Sequence, residues 1–221
     1  MSVSFRQVER DEEVEALAHM AHHIWNEYWP ALIGQEQTDY MVEKFQSLNA
    51  FRADIADNGY EYFFIMDREN ATPRELDQAV HGADIHDEGR PAPAGADDAV
   101  ESDRDGELAH DAEDFAHEAA KPRIIGYTGG HVEADTNRFF VSKVYLLKEH
   151  RGRGLIASVV RFYERLCRER GLDAMYLTVN KGNEMAIRAY KKHGFEIIDA
   201  VETDIGEGFV MDDYIMEKKL K

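Results

Sequence analysis

The sequence holds a single cysteine, Cys167, among its 221 residues. No intramolecular disulfide can form, which suits a reducing cytoplasm. No run of 18 apolar residues occurs, so no stretch reads as a membrane-spanning helix. The opening segment, Met1 to Met20, contains Arg6, Glu9, Asp11, Glu12 and Glu13 and therefore has no apolar signal stretch. Basic residues are scarce. There are 26 Lys and Arg against 44 Asp and Glu, a net charge of −18. This argues against general nucleic-acid binding, which needs clustered cations on phosphates. It is compatible with cationic small molecules. Internal repeats are absent.

The acid is unevenly spread. Residues 69–121 carry 16 acidic and 4 basic residues, with few aromatics and a Pro91-Ala92-Pro93-Ala94-Gly95 stretch. Such a segment cannot bury enough apolar area to offset its ordering entropy. It reads as a disordered or weakly helical insertion, with a marginal helix at 109–120, inside a single domain spanning 1–221. Long surface insertions add little closure entropy, so the domain tolerates it.

On either side of this insertion the pattern is regular. Val3 to Val8 alternates as a strand. Asp11 to Tyr28 has an apolar face of Val14, Leu17, Ala18, Ala21, Ile24, Trp25 and Tyr28, with Asp11 as the expected N-cap and Pro30 as the stop. Helices are expected at 35–45 and 48–57, and a strand at 60–66. Strands at 124–132 and 139–147 follow the insertion, the first pairing with 60–66. A helix at 155–170 ends at Gly171, with Cys167 a small buried hydrophobe in it. A buried-type strand at 174–179, a helix at 183–193 and strands at 195–201 and 209–218 complete the chain.

Two stretches carry chemistry. In Arg151-Gly152-Arg153-Gly154-Leu155-Ile156 a strand feeds a glycine-rich loop, and a helix opens directly after it. Glycines let backbone N–H groups approach a ligand, and the helix N-terminus adds donors and a positive dipole end. That suits a pyrophosphate, with Arg151 and Arg153 as added charge; a tight turn with exposed arginines is the alternative reading. About 30 residues on, Asn183, Ala186 and Tyr190 recur at helical steps, and Gly194-Phe195 closes the helix. Asn183 can simply cap that helix, and Tyr190 can simply be a core aromatic.

Together the two stretches resemble the GNAT acetyltransferase superfamily. Its signature is Arg/Gln-x-x-Gly-x-Gly/Ala after a strand, then Asn-x-x-Ala-x-x-x-Tyr-x-x-x-Gly-Phe. Asn183, Ala186, Tyr190, Gly194 and Phe195 match the second part, and Arg151 and Gly154 match the first. Ile156 departs from the usual small residue there. The resemblance implies an α/β (α+β) fold with a mixed, mostly antiparallel central sheet and helices on both faces. It implies that the sheet splays between the strand ending near Leu147 and the strand at 174–179. Acetyl-CoA, the co-substrate, would lie in that opening. Val144 and Leu146 would offer backbone groups to pantetheine and the thioester. The N–H groups of Gly152, Arg153, Gly154, Leu155 and Ile156 would hold the pyrophosphate, with Arg151 beside them. Asn183 would contact pantetheine, and Tyr190 would be the general acid. Ser142 stands where many relatives carry a glutamate base, so the base is unassigned; a water chain or Glu27 are alternatives. Tyr28 and Trp29 are expected to wall the acceptor site.

The implied activity is direct acetyl transfer to an amine, with a small amine or polyamine as first acceptor and a peptide or protein amine as second. A non-catalytic acyl-CoA sensor on the same fold is the rival from another class. No metal site is expected: His19, His22 and His23 share a helix but have no companion ligands. Neither nucleic acid nor membrane is an expected partner, and the chain is compatible with a homodimer.

Overall fold

The computed structural model describes residues 2–67 and 123–220. The acidic insertion, its expected helix at 109–120 included, lies outside the described residues. Residues 3–66 and 124–220 form one compact unit, which holds the elements below except for the end residues Asp67 and Arg123.

The chain order is β1 (Val3–Gln7), α1 (Asp11–Tyr28), α2 (Pro30–Ile33), α3 (Gln35–Phe45), α4 (Leu48–Asp57), β2 (Glu61–Asp67), β3 (Arg123–Glu133), β4 (Arg138–Leu146), α5 (Ile156–Glu169), β5 (Ala174–Asn180), α6 (Glu184–Lys192), β6 (Glu196–Gly206) and β7 (Phe209–Lys219). The seven strands form one sheet in the order β1-β2-β3-β4-β5-β7-β6. The β3–β4, β5–β7 and β6–β7 pairs are antiparallel, and β4–β5 is parallel. The mixed α/β sheet expected from the sequence is therefore present, with β2 beside β3 as anticipated.

Strand alternation divides the core between two faces. On β2, Tyr62, Phe64 and Met66 pack with Val14, Leu17 and Ile24 of α1 and Phe51 of α4. Ile65, between them, points the other way, into a cluster with Val159, Val160 and Tyr163 of α5. Successive side chains of a strand face opposite sides of a sheet, so one strand serves both layers. A third cluster joins Trp25, Met41 and Val42 to Ile205, fastening α1 and α3 onto the β6–β7 hairpin. Helical periodicity puts Val159, Val160, Tyr163 and Cys167 on one buried face of α5, with Leu166 half-buried beside them. Burial pushes the Cys167 thiol up to about 11, which keeps it an unreactive thiol.

The start of α1 differs from the sequence reading. Asp11 is the first helical residue, not the N-cap; Arg10 occupies the cap. Arg10 has no short acceptor side chain, so Glu13 performs the task from inside the helix. Its Oε2 accepts from the N–H of Glu9 at 3.0 Å and of Arg10 at 3.2 Å. This satisfies donors that a helix start leaves open. Asp11 pairs outward with Arg52 of α4. Pro30, expected only as a stop, also opens the short helix α2 at its first turn, where its missing N–H costs nothing.

Candidate active site

The site is made by two strands that part. β4 and β5 pair over three positions only, Arg138 with Ala174, Phe139 with Met175 and Phe140 with Tyr176. Beyond them, β4 runs on to Leu146 and β5 to Asn180 without pairing to each other. The splay expected between these strands is present.

The cause lies in β4 itself. Lys143 pairs with Gly129 and Val141 with Gly130, so Ser142 has no partner across the ladder. One extra residue in a strand is a β-bulge, and it bends and twists the strand that carries it. It also reverses the facing of everything after it. Phe139 and Val141 pack in the α5 cluster. After the bulge Lys143 turns toward α3 and α4, donating to Phe45 O at 3.0 Å and to Asp54 Oδ2 at 2.9 Å. Val144 and Leu146 then take the α5 side. Gly130 permits this geometry, because a Cβ there would collide with the carbonyl of Phe140.

A cavity of about 600 Å³ opens from the parted strands. Its walls include Val141–Tyr145 of β4, Leu177–Asn180 of β5, Asn183, Ala186 and Tyr190 at α6, and Met211 and Asp213 of β7. Trp25, Trp29, Met41 and Asp54 close it from the helical side. Burial raises the Tyr190 hydroxyl above its ordinary value, so it holds its proton at neutral pH. Asn183 caps α6, its Oδ1 accepting from Ala186 N at 3.2 Å, as the plain reading had it. The same oxygen accepts from the Tyr28 hydroxyl at 3.2 Å. Trp29 lines the cavity, whereas Tyr28 does not.

None of residues 151–156 lines the cavity. Gly152 and Gly154 have φ of +71° and +73°, a left-handed backbone that favours glycine. Among the described residues no backbone carbonyl accepts from the N–H of Gly152, Gly154, Leu155 or Ile156. These open donors at the head of α5 form a cradle of the chemistry that a pyrophosphate needs. Leu155 is buried in the core, Ile156 is half-buried and Arg153 is exposed. Arg151 does not point outward as free charge. Its Nε donates to Leu146 O at 2.8 Å, its Nη1 donates to Glu27 Oε1 at 3.3 Å, and its Nη2 lies 2.8 Å from Glu27 Oε2 in the same ion pair. The guanidinium also sits 5.0 Å over the Tyr28 ring. Glu27 lies 3.6 Å from Lys148 as well, so two cations occupy this carboxylate, one of the alternatives for the base.

The residue missed from the sequence is Asp213. It is 8% exposed and lines the cavity, and burial with the neighbouring Asp212 pushes its carboxyl up to about 6 despite Lys181. The signal was its place two residues after Met211 on one side of β7, a carboxylate on an otherwise inward row.

The family is shown by sequence. Residues 83–195 match the Acetyltransferase (GNAT) family. The chain belongs to that family. A streptothricin acetyltransferase of Streptomyces lavendulae is 29% identical over 101 residues, 45% of this chain and 53% of that protein. The match thus spans about half the length of that curated relative. The GNAT fold recurs in the PaiA N-acetyltransferase from Thermoplasma acidophilum in complex with coenzyme A, with a TM-score of 0.60 at 16% identity, covering 99% of both chains. A spermidine N-acetyltransferase from Vibrio cholerae, in complex with CoA and spermine, has a TM-score of 0.55 at 14% identity over 99% of this chain and 95% of its own.

Proposed function

We propose that the chain transfers the acetyl group of acetyl-CoA directly to a small amine, polyamines included. The parting of β4 and β5 into one cavity that holds Tyr190 carries this reading. The relatives named as acetyltransferases support it, as does the coenzyme A named with the Thermoplasma protein.

Acetyl-CoA supplies an activated acetyl thioester. The chain's own residues do the rest. The open N–H groups of Gly152, Gly154, Leu155 and Ile156 bind the pyrophosphate. The unpaired edge of β4 around Val144, exposed by the bulge, lies along the pantetheine arm. Leu146 O is engaged by Arg151 and leaves less to offer. Asn183 Oδ1 is filled by two donors, so its Nδ2 is the group left for the arm. Tyr190 Oη keeps its proton until the leaving thiolate needs it, the role of a general acid. Trp29 walls the acceptor end. A cavity of about 600 Å³ falls in the size range of small-molecule sites and favours a small amine over a folded protein surface.

The test is a CoA-release assay with acetyl-CoA against polyamines, aminoglycosides, amino acids and short peptides, with Tyr190→Phe as the control. Turnover on a small amine, reduced by roughly 10²-fold or more in the variant, is expected. Acetyl-CoA binding with no turnover on any amine would instead favour the sensor reading.

A further inference from the structure

Among the described residues four charged side chains line the cavity: Lys44, Asp54, Lys143 and Asp213. Three are already satisfied. Lys143 Nζ donates to Asp54 Oδ2 at 2.9 Å, to Tyr62 Oη at 2.6 Å and to Phe45 O at 3.0 Å. Asp54 Oδ2 also accepts from the Tyr62 hydroxyl at 2.6 Å. Lys44 Nζ donates to the Tyr40 hydroxyl at 2.9 Å and to the carbonyl of Ile205. Asp213 is the exception. Among the described residues none forms a hydrogen bond or ion pair with its carboxylate, although the residue is only 8% exposed.

An unpaired carboxylate on a residue so little exposed is costly, and among the described residues no cation pairs with it directly. Lys181, the nearest candidate in sequence register, is committed to Asp212 on the opposite side of β7. The neighbourhood suits an organic cation. Asp213 sits opposite Asn180 in the β5–β7 ladder, at the end of β5 where the strands have parted. Met211 shares its face of β7, and Trp25, Trp29 and Tyr145 give the cavity an aromatic wall. Trp25 and Tyr145 lie with ring centroids 5.5 Å apart, and Trp25 and Trp29 5.2 Å apart. Aromatic faces attract ammonium groups and shelter an alkyl chain.

We infer that Asp213 is the carboxylate that receives the acceptor's ammonium group, making an alkylammonium the substrate class of this site. The inference rests on the proposed acetyl transfer for the meaning of the site but not for its test. The probes are n-butylamine and spermidine, with their neutral counterpart n-butanol, titrated calorimetrically into the protein saturated with CoA. The variants are Asp213→Asn, which keeps the shape, and Asp212→Asn, which removes the neighbouring charge. Wild type and Asp212→Asn should bind at least one of the two amines and not the alcohol. Asp213→Asn should bind that amine at least tenfold more weakly while retaining CoA affinity, which also shows that it is folded. Equal amine affinity in Asp213→Asn, or no amine binding by the wild type, overturns the inference. A wild type that binds the amines but never acetylates them would leave this site intact and sink the transferase reading instead.

Discussion

The Tyr28 hydroxyl donates to Asn183 Oδ1 across 3.2 Å, joining the end of α1 to the start of α6 over 155 residues of sequence. Asn183 uses the same oxygen to cap its helix. Tyr28→Phe removes one neutral hydrogen bond and should cost about 1 kcal/mol. Asn183→Ala loses the cap as well and should cost about 1–2 kcal/mol. Urea unfolding of both variants checks the order. Equal destabilisation would mean that the cap contributes nothing.

The loop glycines should be intolerant for a backbone reason alone. At Gly154 a Cβ would meet nothing within 4 Å, yet φ is +73°. Gly154→Ala is therefore expected to cost about 1–2 kcal/mol of strain or to shift the loop. Either result should weaken acetyl-CoA binding, because the N–H groups of the cradle move together. Calorimetric titration of acetyl-CoA into the variant measures it, and unchanged affinity would remove the loop from the cofactor site.

Asp213 should trade stability against activity. Its carboxyl is raised from 3.8 to about 6, so the folded chain holds that proton more tightly than the unfolded chain. Its contribution to stability therefore falls as pH rises from about 4 to about 6 and stays low above that. Asp213→Asn removes the penalty and should raise stability at pH 7 by about 1–3 kcal/mol. Thermal unfolding at pH 4.5 and 7 checks this as an order-of-magnitude pH contrast, about 4.5 and 7 being chosen to bracket the titration. The charged and titratable groups around it are Asp212, Lys181 and Tyr145. In the free enzyme kcat/KM for an amine should fall below a pH of about 6, as the carboxylate is lost.

Glu13 should mark the acid limit of α1. Burial pushes its carboxyl up, but the N–H groups of Glu9 and Arg10 and the guanidinium groups of Arg6 and Arg10 outweigh it, holding it at about 2. This stabilisation is complete above the ordinary value of 4.5 and is lost as pH falls toward 2. Glu13→Gln keeps the shape and loses the charge. It should cost about 2–3 kcal/mol at pH 7 and show little further loss between pH values of about 4.5 and 2, where the parent declines. Chemical denaturation across that range distinguishes the two.

Much of the architecture was legible because it is local. The α5 stripe of Val159, Val160, Tyr163 and Cys167 follows from helical periodicity, and the left-handed turns at Gly152 and Gly154 follow from glycine's freedom. The spacing of Asn183, Ala186 and Tyr190 placed all three on the cavity wall. What the sequence could not decide depends on partners far along the chain. Arg151 reads as free charge until Glu27 of α1 is seen 2.8 Å away. Tyr28 and Trp29 are neighbours in sequence, yet only Trp29 reaches the cavity, because the end of α1 turns Tyr28 toward Asn183.

The single extra residue in β4 is the clearest case. Simple alternation assigns Val141 and Lys143 to one face, and a lysine there would meet the apolar α5 layer. The bulge at Ser142 sends Lys143 to Asp54 instead and parts β4 from β5. Alternation is a property of one strand and can be read from residues alone. A bulge is a relation between two strands, set here by Gly129 and Gly130 across the ladder, and an unpaired carboxylate such as Asp213 is defined by every group that fails to reach it. Composition and spacing therefore determined the elements and the family's motifs, while packing between distant segments decided which of the described charges on the cavity wall are paired and left Asp213 without a partner among them.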